Sequence, residues 1–211
     1  MIIIFLGAPG SGKGTQARIL SEKLSIQHLS TGDMLRYVST QNSVLGNKIK
    51  DILSSGKLVE DKYVNEIVNE FLTKYQQKDF ILDGYPRTND QAKYLDKVVT
   101  TDIHAIYFDI ELEKLKKRIV GRFSCKICGA IYNKYYSPTR EESKCDLCQK
   151  NNFEFRSDDN EKVLLNRVEE FTKQIGSLVD YYSADNRLTK LDANLPVNEV
   201  TKLILNSIKK Y

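Results

Sequence analysis

The chain has 211 residues and a net charge of +4, from 32 basic and 28 acidic side chains. With 41% hydrophobic and 28% charged residues it has ordinary globular composition, which excludes fibrous, collagen-like and disordered classes; the length suits one compact domain with insertions. Its longest apolar run, Met1 to Ala8, falls well short of the ~20 residues that span a bilayer and lacks the basic flank of a signal peptide, so a soluble cytoplasmic protein is expected.

The small positive excess needs no nucleic-acid partner and no membrane surface to explain it. Its make-up is more informative. Of the 32 basic residues 23 are Lys and 9 are Arg. Where Lys serves as the generic cation, each Arg carries information, because its planar fork recognises phosphate in a way that Lys cannot copy. The two histidines, His28 and His104, sit in or beside apolar stretches and read as structural.

Met1 to Leu6 is a β-branched run that reads as a buried parallel strand, and it ends in Gly7-Ala8-Pro9-Gly10-Ser11-Gly12-Lys13-Gly14-Thr15. A helix is predicted over Thr15 to Leu24. A glycine-rich turn between strand and helix is the setting of a phosphate loop: backbone N–H groups converge on phosphate oxygens, backed by a helix N-terminus. A plain tight turn is the alternative, and the strand before, the helix after and Lys13 in place argue against it. Gln27 to Ser30 is a second strand. Ser30 to Val59 is polar, without a strand-like run, and reads as an insertion.

Asp61 to Tyr75 carries Val64, Ile67, Val68, Phe71, Leu72 and Tyr75 on one helical stripe. Phe80 to Asp83 and Ala105 to Asp109 read as further buried strands. Thr88-x-x-Gln91 has the form of a capping box. Leu112, Leu115 and Ile119 mark a helix, as do Leu164, Val168, Phe171 and Ile175; Leu188 to Leu191 is a last strand, and Val200, Leu203, Ile204 and Ile208 a last helix. Strands alternating with helices predict a parallel α/β sheet.

Residues 122–159 break that rhythm. They hold all four cysteines, as Cys125-x-x-Cys128 and Cys145-x-x-Cys148 with sixteen residues between the pairs. That is the spacing of a four-thiolate zinc site, with no ligand position left for water, so a structural ion is expected. Two disulfides, or a zinc ribbon that binds nucleic acid or protein, are the alternatives. A segment this short rarely builds its own core, which gives the metal a folding role.

The form Gly-x-Pro-Gly-x-Gly-Lys-Gly-Thr resembles the nucleoside monophosphate kinases, and the adenylate kinase family above all. Ser30-Thr31-Gly32-Asp33-Met34-Leu35-Arg36, Lys57-Leu58-Val59 and Leu82-Asp83-Gly84-Tyr85-Pro86-Arg87-Thr88 are similar to the family's AMP-site segments. The resemblance runs from Met1 to about Val200. It implies a P-loop kinase fold, a five-stranded parallel sheet of order 2-3-1-4-5 wrapped by helices. The core would be 1–29, 60–121 and 160–211, with an NMP-binding insertion at 30–59 and a zinc-binding lid at 122–159 hinged at Gly121 and Ser157.

The same resemblance implies ATP + AMP ⇌ 2 ADP in a monomer, with ATP and AMP as partners and Mg²⁺ and Zn²⁺ as cofactors. ATP would meet Gly10, Ser11, Gly12, Lys13, Gly14, Thr15, Arg118, Arg122, Ile131, Tyr132 and the backbone of Leu195. AMP would meet Thr31, Arg36, Lys57, Leu58, Val59, Gly84, Tyr85, Pro86, Arg87, Gln91, Arg156 and Arg167. Lys13, Arg87, Arg122, Arg156, Arg167, Asp158 and Asp159 would form the catalytic set. Gly14 stands where most P-loops place the Ser or Thr that holds Mg²⁺, so Asp83 would anchor the ion through water. Simpler roles remain open: a helix cap for Thr31-Gly32-Asp33 and for Gln91, a plain turn for Asp83-Gly84, a helix-dipole contact for Arg118. A kinase for UMP or CMP, or a P-loop ATPase with a zinc-ribbon module, is the alternative function. Arg187 lies outside every motif, so Arg187→Lys is expected to be nearly silent in turnover, a control for Arg87→Lys.

Overall fold

The computed structural model describes residues 1–75, 79–156 and 159–209. Its elements in chain order are β1 (Ile2–Gly7), α1 (Lys13–Leu24), β2 (Gln27–Ser30), α2 (Thr31–Ser39), α3 (Val44–Ser55), α4 (Asp61–Tyr75), β3 (Phe80–Asp83) and α5 (Asn89–Val98). Then follow β4 (Ile103–Asp109), α6 (Leu112–Val120), β5 (Arg122–Cys125), β6 (Ile131–Asn133), β7 (Phe153–Glu154), α7 (Glu161–Ala184), β8 (Leu188–Asp192) and α8 (Val197–Ile208).

Five parallel strands form the main sheet in the order β2-β3-β1-β4-β8. β1 is central and buried on both faces, which is why it reads as an unbroken apolar run rather than an alternating one. Ile2, Ile4 and Leu6 point into one core with Val68 and Leu72 of α4, Leu95 of α5 and Leu178 of α7. Ile3 and Phe5 point the other way, onto Ala17 and Leu20 of α1 and Ile204 of α8. This two-residue period is that of a strand, and each buried aliphatic side chain contributes roughly 1.5–3 kcal/mol.

Four helices are stopped at their start by a side chain: Ser30 accepts from Asp33 N–H, Ser43 from Gly46, Thr88 from Gln91 and Asn160 from Val163. Such caps are worth about 1 kcal/mol each. The cap before α2 is therefore Ser30, with Asp33 in the first turn, and not Thr31.

Residues 30–59 form the helical pair α2–α3, packed on the first core through Leu35 and Ile49. Residues 122–159 carry a small antiparallel sheet, β6-β5-β7. Its strands are two to four residues long, too short to leave a periodic signal. Among the described residues the core beneath it is Cys125, Ala130, Tyr132 and Cys145, with Phe123, Cys148 and Phe153 against it. Gly121 sits at its base, where a Cβ would come within 2.6 Å of the Tyr135 ring and 2.9 Å of Asn133 Oδ1. Close packing, not a left-handed backbone, requires glycine there. Ser157 lies outside the described residues.

Arg187 is not a spare surface cation. Its guanidinium donates to Asp96 at 2.9 and 3.0 Å and to Asp185 at 3.1 Å, and packs over the rings of Tyr181 and Tyr182. Its replacement by Lys, expected to be nearly silent for turnover, would still cost packing, because one lysine ammonium cannot reproduce a fork that is also stacked. His104 is buried with Nε2 3.1 Å from Thr189 Oγ1, a structural histidine as expected.

Candidate active site

β1 ends where the chain must turn sharply to enter α1. Gly10 and Gly12 have φ of 82° and 100°, the left-handed region that L side chains rarely adopt. No side chain caps α1, in contrast to the four capped helices, and its first turn holds no acid. Its N-terminal N–H groups and positive dipole end are left for an anion. Lys13 folds back over the loop, donating to Gly7 O at 2.7 Å and Ala8 O at 2.9 Å. Burial pulls its pKa down to about 8, against the pull of Asp83 and with the help of Arg87, Arg167 and Arg122.

A cavity of about 250 Å³ lies over this loop, lined by Gly10, Ser11, Gly12, Gly14, Thr15, Ile131, Tyr132 and Leu195 among others. Eight basic side chains reach it, Lys13, Arg18, Arg36, Arg87, Arg118, Arg122, Arg156 and Arg167, against the two carboxylates Asp33 and Asp83. A second cavity, about 100 Å³, opens between the main sheet, residues 53–58 and α7, and is lined by Leu35, Lys57, Leu58, Pro86 and Phe171. The two meet at a common wall: Lys13, Arg36, Arg87 and Arg167 line both.

The cations are held in place by named partners. Arg122 forms a two-bond fork on Asp159, with Nε donating to Oδ2 at 2.7 Å. Arg118 donates to Ser11 O at 3.2 Å and Ala193 O at 3.0 Å and lies over the Tyr136 ring, so it ties the loop to β8's end and does more than meet its own helix dipole. Arg87 Nε donates to Gly84 O at 2.8 Å. Arg156 donates to Asp33 at 3.2 Å, and Arg36 to the same oxygen. Burial, then Arg122 and Arg36, push the Arg156 pKa down to about 10, with Asp33 and Asp159 opposing. Cations crowded to this degree form a site for a polyanion.

Several expected residues stand behind the walls. Thr31 is 1% exposed and donates to Gly84 O at 2.9 Å. Tyr85 is buried, its hydroxyl donating to Asn65 at 2.7 Å, and a cis peptide joins it to Pro86; its ring does not face either cavity. Val59 is buried, and Gln91 has its amide engaged by Asp61 and by Arg87 N–H. Tyr132, by contrast, lines the larger cavity while its ring packs against Phe123 and Phe153 and its hydroxyl accepts from Asp146 N–H at 2.8 Å. Asp158 lies outside the described residues.

The Asp83 carboxylate makes no hydrogen bond among the described residues. It faces Gly14, where a Cβ would lie 3.2 Å from Oδ2, and His28 Nε2 stands 3.6 Å away, itself without a hydrogen-bond partner among the described residues. An acid left with open acceptors beside a cradle that only glycine leaves empty fits a hydrated divalent cation. His28 was not legible as a site residue, because only the strand register (His28 opposite Ile81, Ser30 opposite Asp83) turns it toward Asp83.

The four cysteine sulfurs lie within 4.8 Å of one another. Cys125 and Cys148 are 3.6 Å apart, Cys128 and Cys145 3.5 Å. Disulfides need about 2.05 Å, whereas thiolates around one zinc ion sit about 3.8 Å apart, from Zn–S bonds of ~2.3 Å. Burial disfavours the Cys145 thiolate, but N–H groups of Cys148 and Leu147 together with Tyr132 hold its pKa down to about 6. The donor set fits a tetrahedral thiophilic metal.

Residues 5–187 match the family model described as Adenylate kinase. Among curated proteins the chain is 42% identical over 211 residues to an Adenylate kinase of Orientia tsutsugamushi (strain Boryong), covering 100% of this chain and 98% of that one. It is 41% identical over 195 residues to an Adenylate kinase of Rickettsia bellii (strain RML369-C), 92% of each chain. A phosphate loop, two cavities joined at a wall of arginines, and relatives that align over nearly their whole length agree: the chain belongs to the adenylate kinase family.

Proposed function

We propose that the chain transfers the terminal phosphoryl group of MgATP reversibly to AMP, ATP + AMP ⇌ 2 ADP, as a cytoplasmic monomer. One observation carries the reading: two cavities share Lys13, Arg36, Arg87 and Arg167. An ATPase with a zinc-ribbon module would have no use for a second cavity behind its phosphates. The family does not favour a UMP or CMP kinase.

The larger cavity would take ATP, its phosphates on Gly10 to Thr15 with Arg118 and Arg122, its base between Ile131-Tyr132 and the Leu195 backbone. The smaller would take AMP, its phosphate on Arg36, Arg87, Arg156 and Arg167. The AMP base would lie beside Thr31, Lys57, Leu58, Val59, Gly84, Tyr85, Pro86 and Gln91, with Tyr85 and Val59 acting through backbone. Residues 30–59 would be the NMP-binding insertion and 122–159 a lid folded by zinc on Cys125, Cys128, Cys145 and Cys148.

The AMP phosphate is already an anionic nucleophile, so no general base is required. Catalysis is positioning plus charge stabilisation. Lys13, Arg87, Arg122, Arg156 and Arg167 would surround the transferring group. Asp159 would aim Arg122, and Asp158 would act beside it. Asp83 would hold a hydrated Mg²⁺, which would supply neutralisation of phosphate charge. Closure of the lid would exclude water and prevent hydrolysis.

Two adenosines joined by five phosphates test the reading. Filling both cavities makes the second binding event intramolecular, and affinity should exceed that for ATP by roughly 10²–10⁴. Affinity no better than that for ATP would overturn the two-site reading.

A further inference from the structure

Asp61 lies in no phosphate-binding motif. It opens α4, two residues beyond Val59, and its carboxylate reaches the start of α5. Oδ2 accepts from Thr88 Oγ1 at 2.8 Å, and Oδ1 accepts from Gln91 Nε2 at 2.7 Å. The other end of that amide, Gln91 Oε1, accepts from Arg87 N–H at 2.7 Å. Gln91 is 2% exposed, so water does not substitute for these partners.

A carboxylate only accepts and a peptide N–H only donates. Turning the Gln91 amide over would set its oxygen against the Asp61 carboxylate and its NH₂ against the Arg87 N–H. Both bonds would be lost, and acceptor would face acceptor at one end and donor face donor at the other. Each end of the amide still keeps one bonding position, a second N–H on Nε2 and a second lone pair on Oε1. Their order is fixed. Arg87, whose N–H this amide's oxygen accepts, lines the smaller cavity together with Pro86.

We infer that Asp61 is a specificity-determining positioning residue: by locking the Gln91 amide in one orientation, it makes the site take a 6-aminopurine monophosphate and refuse a 6-oxopurine one. This rests on the reading of the smaller cavity as the AMP site with Gln91 at its base. Adenine presents an acceptor at N1 beside a donor at its 6-amino group. Hypoxanthine presents the reverse, a donor at N1 beside an acceptor at its 6-oxo group. An amide free to turn serves both bases; a locked one leaves the wrong base facing like groups.

The test is kcat/KM for AMP and for IMP at saturating MgATP, in wild type, Asp61→Asn and Asp61→Glu. Asn keeps the size but can donate as well as accept, so it tolerates either orientation of Gln91. The AMP-over-IMP ratio should fall about tenfold in Asp61→Asn, the worth of one hydrogen bond to a charged group. The change should appear mainly as a lower KM for IMP, with AMP turnover within a few-fold of wild type. Asp61→Glu remains acceptor-only and should retain discrimination. Asp61→Ala, which removes the acceptor without adding a donor, should shift the ratio in the same direction and guards against misfolding of the Asn variant. An unchanged ratio in active Asp61→Asn and Asp61→Ala overturns the inference, as does loss of AMP activity with no gain on IMP. A wild-type protein that phosphorylates neither compound overturns the reading of the site itself, and the inference with it.

Discussion

Asp33 of α2 accepts a hydrogen bond from Arg156 of the 122–159 segment at 3.2 Å, and the same oxygen accepts from Arg36. One carboxylate oxygen gathers two guanidiniums proposed for the AMP phosphate. Burial pushes the Asp33 carboxyl up, but Arg36 and Arg156 outweigh it and hold the pKa below its ordinary value. Asp33 is more than half exposed, so the link is weak and phosphate can displace it. Asp33→Asn should therefore lower the KM for AMP several-fold with little change in kcat. A carboxyl with a depressed pKa stays charged above its ordinary value and protonates only as pH falls below it. The difference between variant and wild type should thus hold constant from about pH 5 to pH 8, as steady-state kinetics would read.

Lys13 gives a second pH prediction. Its pKa of about 8 without ligand comes from burial, then from three arginines, with Asp83 opposing. A bound polyphosphate favours the ammonium form and raises that pKa back toward the ordinary lysine value of about 10.4. ATP binding should take up a proton between about pH 8 and 10, and affinity should fall as pH rises through about 8. Calorimetry in buffers of different ionisation enthalpy measures the uptake directly. Binding without proton uptake near about pH 8.5 would count against a phosphate contact for Lys13.

Arg87→Lys should cut turnover far more than it weakens ATP binding. Gly84 O orients the guanidinium by a 2.8 Å bond from Nε, and a lysine replaces this aimed fork with a point charge. Arginines acting in phosphoryl transfer can be worth roughly 10³–10⁵ in rate. A loss below about tenfold would argue that Arg87 only shapes the wall.

Much of this was legible in the chain. The inner strands of the main sheet announce themselves because burial on both faces leaves an apolar run, as in Ile2 to Leu6. The phosphate loop is legible because Gly10 and Gly12 occupy backbone conformations open to few other residues. The cysteine knuckles are legible because metal geometry fixes short spacings. Asp61 and His28 gave no signal, since each meets its partner only after distant segments pack: Asp61 reaches Gln91 thirty residues on, and His28 meets Asp83 through strand register. Strands β5 to β7 were hidden by their brevity. Gln91 had two readings, cap and base contact, and its amide is engaged within the protein in a manner that neither alone describes.

Arg187→Lys should lower the melting temperature and leave kcat unchanged. The residue lies at the foot of β8, with Asp96 of α5 and the α7 tyrosines around it. Lys keeps a charge near Asp96 but gives up the paired bonds and ring stacking. At about 1–2 kcal/mol for these together, the shift should be roughly 2–8 °C for a chain of this size. A calorimetric scan with parallel kinetics separates the two effects; loss of turnover at constant stability would place Arg187 in the reaction instead.

Metal removal tests the 122–159 segment. Among the described residues four form its buried core, too few for packing alone to hold β5–β7 together. The thiolates must be supplied by deprotonation, and metal binding is linked to folding of the segment. The protein prepared under reducing conditions should contain about one zinc ion per chain. Removing it with a chelator after mild thiol modification should expose residues 122–159 to proteolysis and lower the first melting transition, while ATP binding at the loop of Gly10 to Thr15 persists. Phosphoryl transfer should be lost, since Arg122 and Arg156 bracket the segment and depend on its fold for their aim. Acid should mimic the chelator, because protons compete with zinc for the thiolates. Replacing Cys128, the most exposed of the four, with Ser should weaken metal retention while the main sheet stays folded. Metal analysis finding no ion, or a metal-free protein with full turnover and an intact segment, would show that the knuckles hold this layer without zinc.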